Sequence, residues 1–217
     1  MSNLTLIIGN KNYSSWSLRP WIFMRQMSIE FAEKRIPLFT ETMESDLAPY
    51  FSNSKVPVLL DGNFIVWDTL AIMEYVSENY LLNKGWPAET KARAVARSIS
   101  AEMHSSFTDL RNELPMNCRK QFAGFNISSS VQADIDRISA IWRKCRTEYG
   151  AGGDWLFGNY SIADAMFAPV VLRFKGYDVS PGDIEESYMQ VVLNQPAMQE
   201  WIEAGKQEKE IIEMDEV

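Results

Sequence analysis

Strand-like sequence is confined to the first third of this chain. The apolar or alternating runs lie at residues 4–8, 31–38, 56–60 and 64–67. Asp61-Gly62 joins the last two runs and is a strong signal for a β-hairpin. Alternating charges and Pro37 place the second run at the edge of a sheet. Helical patterns lie between and after these runs, at residues 21–27, 45–51 and 69–80. The resulting order, β-α-β-α-β-β-α, predicts an α/β unit.

Beyond residue 90 the patterns are helical. The predicted helices cover residues 91–114, 131–149 and 165–174, with two short helices after residue 184. Pro115 ends the first of them, and Ser161 with Asp164 forms an acidic capping box before the third. We expect the acidic end, residues 208–217, to be frayed and to serve solubility. The sequence predicts an α/β domain at residues 1–80, a linker at 81–90 and an all-α domain at 91–217.

Composition and the lack of certain motifs argue against several classes of function. A formal net charge of -8 without a basic stripe argues against a nucleic-acid partner. No apolar run is long enough to span a membrane and the N-terminus lacks a signal-peptide layout, so we expect a cytoplasmic protein without a membrane partner. Cys118 and Cys145 have no metal or redox spacing, and His104 is the single histidine, so no metal site is expected. The lack of a G-x-S-x-G motif argues against a serine hydrolase.

A cluster of hydroxyls sits where the first strand gives way to the first helix. The segment reads Asn12-Tyr13-Ser14-Ser15-Trp16-Ser17-Leu18-Arg19-Pro20-Trp21. We predict that the helix covers residues 21–27 and that Pro20 occupies its first turn. Amide groups and the helix dipole favour an anion at such a junction, and a hydroxyl there can donate to a thiolate. Lowering a thiol pKa by about two units requires roughly 2.7 kcal/mol. The alternative is that Ser15 or Ser17 only caps the helix.

Two further segments have both a structural and a functional interpretation. Val56-Pro57 is a trans proline at the start of a strand, or a cis turn that leaves the backbone of Val56 available to a peptide-like ligand. Asp68-Thr69 caps the next helix, or holds the carboxylate and ammonium of one zwitterionic group.

His104 and Arg111 lie seven residues apart within the predicted helix 91–114. This spacing puts them on one helix face, two turns apart and close to Ser105. The face either lines a cleft or meets solvent, and a solvent-exposed polar face is the commoner arrangement.

Taken together, these motifs resemble the cytosolic glutathione transferases, in particular bacterial, serine-type members with a zeta-like first loop. The first loop at residues 14–19 resembles the serine-bearing loop of that family. Val56-Pro57-Val58-Leu59 resembles the cis-proline segment, and residues 68–75 resemble the acidic-plus-hydroxyl helix start. Ser161-Ile162-Ala163-Asp164 resembles the capping box of the C-terminal domain, so the resemblance covers nearly the whole chain.

The resemblance implies a thioredoxin-like domain that binds glutathione as cosubstrate and an all-α domain that supplies the second substrate's pocket. Ser14, with Ser15 beside it, would activate the thiol, and Tyr13 is a third candidate. Glutathione would be held by Lys55, Val56, a cis Pro57, Asp68 and Thr69. The second pocket would include Trp16, Arg19, His104 and Arg111. A homodimer is also implied.

The sequence differs from the family pattern at two points, and three functions are predicted. Trp16 stands where the zeta-like pattern has a cysteine, and the first loop has no cysteine for disulfide exchange. The leading prediction is a glutathione transferase that adds the activated thiol to a small electrophile. The alternatives are a glutathione-dependent isomerase of small unsaturated acids, similar to maleylacetoacetate isomerase, and a non-catalytic glutathione-binding or scaffold protein.

Overall fold

The strands form one mixed sheet in the computed structural model, which describes residues 4–217. They are β1 (Leu4–Ile8), β2 (Ala32–Arg35), β3 (Val58–Asp61) and β4 (Phe64–Trp67). The spatial order is β2-β1-β3-β4, with β1 parallel to β2 and antiparallel to β3. Strands β3 and β4 pair as the predicted hairpin. All residues of β2 are exposed, as expected of the predicted edge strand.

Nine α-helices complete the described chain, and their bounds give a thioredoxin-like unit followed by a helical domain. They are α1 (Ser15–Gln26), α2 (Met43–Leu47), α3 (Thr69–Tyr80), α4 (Thr90–Ser105), α5 (Thr108–Glu113), α6 (Ser129–Tyr149), α7 (Ile162–Gly176), α8 (Asp183–Asn194) and α9 (Pro196–Gln207). Short 3-10 turns occur at Ala48–Tyr50 and Glu213–Asp215. The predicted helices after residue 128 are therefore confirmed.

Helix α7 is the centre of the hydrophobic core. Almost every residue of α7 is buried, which is the pattern of a helix enclosed on all sides. The predicted capping box begins it: the Ser161 N–H donates to the buried Asp164 carboxylate at 2.8 Å. Helix α7 packs against α1 and α4, so it connects the sheet-bearing part of the chain with the helical part.

Helix α1 begins earlier than predicted, and Pro20 lies inside it rather than in its first turn. Ser14 is the N-cap and Ser15 the first helical residue. Pro20 has no N–H to donate to the carbonyl of Trp16, four residues before it. The hydroxyl of Thr69 donates to that carbonyl at 2.9 Å. The Thr69 hydroxyl thus replaces the N–H that Pro20 lacks as the donor to this carbonyl, and α1 continues through residue 20.

The predicted single helix at 91–114 is wrong, because the chain breaks between α4 and α5. Phe107 adopts a left-handed conformation with φ +62°, which costs a non-glycine residue roughly 1–2 kcal/mol. Its side chain is buried, and burial of a phenylalanine contributes a similar or larger amount, about 1.5–3 kcal/mol. Arg111 donates back to the carbonyl of Ser106 at 3.1 Å, across the break. His104 and Arg111 therefore lie on different helices, not on one face of one helix.

The acidic C-terminal segment is docked, which corrects the prediction that it is frayed. The carboxylate of Glu208 accepts from the N–H groups of Lys11 and Asn12 at 2.8 and 3.1 Å. Glu216 pairs with Lys120 and accepts from a tyrosine that precedes α1. The acids find partners that are far away in sequence, so composition alone could not show their role. Residues 208–217, which we call the C-terminal strap, lie against residues 11–13, just before the N-cap of α1.

Candidate active site

A cavity of about 620 Å³ opens between the first loop, the segment before β3, the start of α3 and the helical domain. It is lined by Tyr13, Ser14, Ser15, Trp16, Leu38, Phe39, Met43, Ser52, Ser54, Lys55, Val56, Pro57, Trp67, Asp68, Thr69, His104 and Asp215. Most of the predicted site residues are thus brought together. Arg19 and Arg111 do not line the cavity and lie behind Trp16.

The two serines differ in what their hydroxyls contact. The Ser14 Oγ accepts from the N–H of Ser17 at 3.3 Å and donates to Ser17 Oγ at 2.8 Å. Ser17 Oγ in turn accepts from the N–H of Gly9 at 3.0 Å. Ser14 is therefore engaged as the helix cap. Ser15 Oγ accepts from a side chain of the helical domain at 3.4 Å and has no acceptor for its own proton in the described chain.

That side chain belongs to Arg173, a residue that sequence analysis missed. Arg173 lies on α7, and its guanidinium also donates to the carbonyls of Arg111 and Leu114. Desolvation by burial lowers its pKa to about 10, and the nearby charge of Arg111 adds to that effect. The available signal was a charged residue in a helix that is otherwise almost entirely apolar.

Trp16 separates the cavity from two more guanidinium groups. The guanidinium of Arg19 lies 4.6 Å from the centre of the Trp16 ring, and that of Arg111 lies 4.8 Å away. Arg19 donates through Nε to the carbonyl of Met166 at 2.9 Å, which ties α1 to α7. The ring of His104 meets Trp16 edge-on at 5.2 Å between centroids. Trp16 is therefore held between cationic and aromatic groups, in the kind of contact favoured by the electron-rich face of its ring.

The Val56–Pro57 peptide bond is cis, as the resemblance implied. Strand β3 begins at Val58, so Val56 precedes the sheet at the rim of the cavity. The N–H and C=O of Val56 have no hydrogen-bond partner within residues 4–217. Lys55 lines the cavity beside them. An extended main chain in the cavity would find an unused donor and acceptor here.

Asp68 caps α3 and faces the helical domain. Its Oδ1 accepts from the N–H groups of Leu70 and Ala71 at 2.9 and 3.4 Å. Its Oδ2 lies 2.6 Å from Nε2 of His104, and both side chains are about a third or more exposed. The backbone of Asp68 is strained, with φ +72°, a conformation that persists only where the surroundings fix it. Thr69 uses its hydroxyl for the Trp16 carbonyl, so its backbone N–H is the group available at the helix start.

Tyr13 is engaged by the C-terminal strap. Its hydroxyl donates to the carboxylate of Glu216 and accepts from Arg119 at 2.5 Å. Desolvation by burial, and then the hydrogen bond to Glu216, raise the pKa of Tyr13. Its phenol is thus already paired, in contrast to the hydroxyl of Ser15.

No cluster of three or more His, Cys, Asp or Glu side chains is placed to hold a metal ion in residues 4–217. Cys118 and Cys145 are both buried, and desolvation raises the pKa of each thiol to about 12. A helix long and apolar enough to cross a bilayer is also absent from these residues.

Comparisons with known proteins agree with this geometry. Residues 13–79 match the family model of the glutathione S-transferase N-terminal domain. The chain is 26% identical over 187 residues to a probable maleylacetoacetate isomerase of Caenorhabditis elegans, which covers 83% of this chain and 85% of that protein. In total, 596 solved chains match the fold.

Two of those structures match over almost their whole lengths. One is a glutathione transferase homolog from Burkholderia with bound glutathione, with a TM-score of 0.69 at 20% identity over 95% of this chain and 99% of the other. Another is glutathione S-transferase unclassified 2 from Bombyx mori, with a TM-score of 0.72 at 19% identity over 94% of both chains. Residues 13–79 therefore match a glutathione S-transferase N-terminal domain, and the chain shares the fold of these transferases over nearly its full length.

Proposed function

We propose that this protein is a glutathione transferase in which the Ser15 hydroxyl holds the thiol of glutathione as a thiolate for addition to a small electrophile. The observation that carries the proposal is the position of Ser15. It lies in the first turn of α1, lines the cavity, and keeps its hydroxyl proton without an acceptor in residues 4–217. The dipole of α1 favours an anion at the same place.

The opposite side of the cavity supplies the groups that recognise the rest of glutathione. Val56 pairs its N–H and C=O with the cysteinyl backbone, next to cis Pro57, and Lys55 meets the glycyl carboxylate. Asp68 takes the γ-glutamyl ammonium, while the N–H of Thr69 at the start of α3 takes the γ-glutamyl carboxylate. The strained backbone of Asp68 and the unpaired backbone of Val56 support this assignment. So does the glutathione bound in the Burkholderia homolog.

Ser15 is a better candidate than Ser14 or Tyr13 for the group that faces the thiol. Ser14 is engaged with Ser17 as the helix cap, and the phenol of Tyr13 is engaged by Glu216. In the proposed step the S–H bond breaks, its proton goes to solvent, and the Ser15 O–H donates to the resulting thiolate. A shift of about two units in the thiol pKa corresponds to roughly 2.7 kcal/mol, which one charged hydrogen bond and a helix dipole can supply together.

An isomerase of small unsaturated acids is the second candidate. The similarity to a probable maleylacetoacetate isomerase favours it. His104 on the cavity wall would then bind the carboxylates of the acid, with the guanidinium groups of Arg19 and Arg111 adding positive charge from behind Trp16. Trp16 itself weighs against the isomerase, because the zeta-like pattern has a cysteine at this position. Product analysis separates the two candidates, since an isomerase consumes no glutathione.

We also propose the domain division at residues 1–80, 81–90 and 91–217, and a two-fold homodimer. Phe51 on the loop before β3 is 79% exposed and meets Trp67 at 5.4 Å between ring centroids. Phe64 on β4 is exposed as well. An exposed aromatic group on the sheet-bearing part is the kind of surface that a second copy would cover. Sedimentation at micromolar concentration tests the dimer, and a Phe51→Ser variant should shift it toward monomer.

The experiment that tests the activity is an ultraviolet titration of glutathione bound to the protein, which follows the thiolate band against pH. We expect a thiol pKa about two units below that of the free thiol. Replacing both Ser14 and Ser15 by alanine should reduce turnover far more than it reduces glutathione affinity. Binding without a shift in the thiol pKa would instead support the scaffold alternative, and unchanged turnover in the double variant would contradict the serine mechanism.

A further inference from the structure

Three arginines from three helices meet behind the first turn of α1 without a carboxylate partner. Arg19 on α1 is 1% exposed, Arg173 on α7 is 6% exposed, and Arg111 on α5 is partly buried. None of the three has an acidic oxygen within 4.0 Å in residues 4–217. We call these three side chains the arginine cluster.

The cluster is electrostatically unbalanced. Burial, and then the charges of Arg111 and Arg173, lower the pKa of Arg19 well below its usual range. The acids that act on the cluster from a distance are Asp68, Asp134 and Asp215, one near each arginine. Tyr177 also faces Arg173, but burial raises the pKa of its phenol and keeps it neutral. A buried positive charge without a partner costs free energy, so an arrangement of this kind requires a compensating anion or a functional reason.

One member of the cluster contacts the proposed thiol-activating group. Arg173 Nη2 donates to Ser15 Oγ at 3.4 Å. A serine oxygen that accepts from a guanidinium cannot direct its own proton toward that guanidinium, because arginine has no acceptor. No other group in the described chain accepts this proton, and Ser15 lines the cavity. The contact with Arg173 therefore orients the Ser15 proton toward the cavity.

We propose that Arg173 is a positioning residue: it directs the Ser15 hydroxyl proton toward the ligand thiol and, with Arg19 and Arg111, supplies positive charge that stabilises the thiolate. This inference rests on the proposed glutathione activity. No covalent step is added: the thiol S–H bond breaks, its proton passes to solvent, and Ser15 keeps its own proton throughout. Arg19 and Arg111 lie against the ring of Trp16, so they act on the thiolate through their charge and not through a direct contact. The contact of Arg173 is the direct one.

The test measures the thiol pKa of glutathione bound to three variants of the full-length protein. Arg173→Met removes both the donor and the charge, Arg173→Gln keeps a donor, and Arg173→Lys keeps the charge. We expect the thiol pKa to rise by about one unit in Arg173→Met, which is a tenfold loss of the thiolate equilibrium constant. Arg173→Gln and Arg173→Lys should each recover part of the shift. In a Ser15→Ala background, Arg173→Met should raise the thiol pKa less than it does in the wild type.

Arg146→Met is the matched control. Arg146 on α6 also holds two backbone carbonyls, those of Gly153 and Trp155, both at 2.8 Å, and it does not line the cavity. It should destabilise the fold without moving the thiol pKa. If Arg173→Met is too unstable to assay, Arg173→Gln serves, because its amide can still donate to the Leu114 carbonyl.

Two results would overturn the inference. One is a lowered thiol pKa in the wild type that stays unchanged in the Arg173 variants. The other is an equal rise in the presence and absence of the Ser15 hydroxyl. A wild-type protein that binds glutathione without lowering its thiol pKa would instead contradict the proposed function, so the two failures are distinguishable.

Discussion

The two walls of the cavity differ in how exposed their polar side chains are and in whether those side chains have partners. On the outer wall, Asp68 and His104 face each other at 2.6 Å with 42% and 34% of their side chains exposed. On the inner wall, Ser15 is backed by the arginine cluster, in which Arg19 and Arg173 are buried and Arg111 is partly buried. None of the three forms an ion pair in residues 4–217. A contact between exposed polar side chains is worth about 0–1 kcal/mol, whereas a charge in a desolvated place acts strongly on its surroundings.

This contrast indicates different tasks. In a half-exposed hydrogen-bonded pair, either side chain can exchange its partner for a ligand group at little cost, which suits recognition of a zwitterion. A buried excess of positive charge is stabilised when a negative charge develops beside it, which suits a thiolate. The outer wall is therefore expected to control affinity and the inner wall reactivity.

The largest effect is expected at Ser15. Ser15→Ala removes the donor to the thiolate but leaves the helix dipole and the arginine cluster, so the bound thiol pKa should rise by about one to two units and turnover at neutral pH should fall by about 10- to 100-fold. Ser14→Ala is the matched control. It removes the helix cap and should lower the free energy of unfolding by about 1 kcal/mol, with a smaller change in thiol pKa. If the two variants exchange these effects, Ser14 is the thiol-facing residue.

The next effect concerns the strap, which lies against residues 11–13. The carboxylate of Glu208 is nearly buried and accepts from two backbone N–H groups. Glu208→Ala leaves both donors without a partner and should lower the free energy of unfolding by about 1–3 kcal/mol, measured by urea denaturation. Glu213→Ala, in the same strap, is the control and should have little effect. Equal, negligible effects would restore the prediction of a frayed, solubilising tail.

A smaller effect is expected on the outer wall. Asp68→Asn keeps an oxygen to cap α3 but removes the charge, so glutathione affinity should fall about tenfold, or about 1.4 kcal/mol, in calorimetry. The thiol of glutathione bound to Asp68→Asn should keep its lowered pKa. His104→Gln, which leaves the Asp68 carboxylate in place, is the control and should retain most of the affinity. A rise in thiol pKa in Asp68→Asn would show that the outer wall also controls reactivity.

Elements with a local signal could be predicted from the sequence. Strand β1, the hairpin at Asp61-Gly62, helix α3 and the capping box at Ser161 each follow from residues that are neighbours in the chain. The predicted start of α1 and the predicted single helix at 91–114 were wrong because of contacts between distant parts of the chain. Pro20 is tolerated inside α1 because Thr69 satisfies the Trp16 carbonyl, and the break at Phe107 is stabilised by burying its ring. Neither partner could be recognised by spacing along one helix.

The candidate site divides in the same way. The lining residues Ser14, Ser15, Val56, Pro57, Asp68 and Thr69 lie in contiguous motifs, so the sequence located them. Arg173 and Asp215 come from distant segments and belong to no motif. An arginine in the apolar run of α7 was the single local sign, and it becomes informative only when α7 is seen to pack against α1. Long-range charge placement is therefore what sequence patterns miss here.

A substitution of Asp215 is expected to have the smallest effect, and it tests the charge on the inner wall selectively. It lies on the strap, lines the cavity, and acts on Arg173 without forming an ion pair within 4.0 Å. Desolvation raises the pKa of Asp215, and the charge of Arg173 opposes that rise. Where Asp215 is ionised, it offsets part of the positive potential at Ser15. Asp215→Asn should therefore lower the bound thiol pKa further, by a few tenths of a unit, corresponding to about 0.5 kcal/mol.

The sign of that shift is the informative part, because it is opposite to the shift expected for Arg173→Met. Asp183→Asn, at the start of α8, is the charge-matched control. In the same titration, its bound thiol should have the same pKa as in the wild type. The effect should also weaken below the pKa of Asp215, where the wild-type carboxyl is already neutral. A rise in the thiol pKa of Asp215→Asn would mean that the carboxylate, and not the arginine cluster, sets the potential at the inner wall.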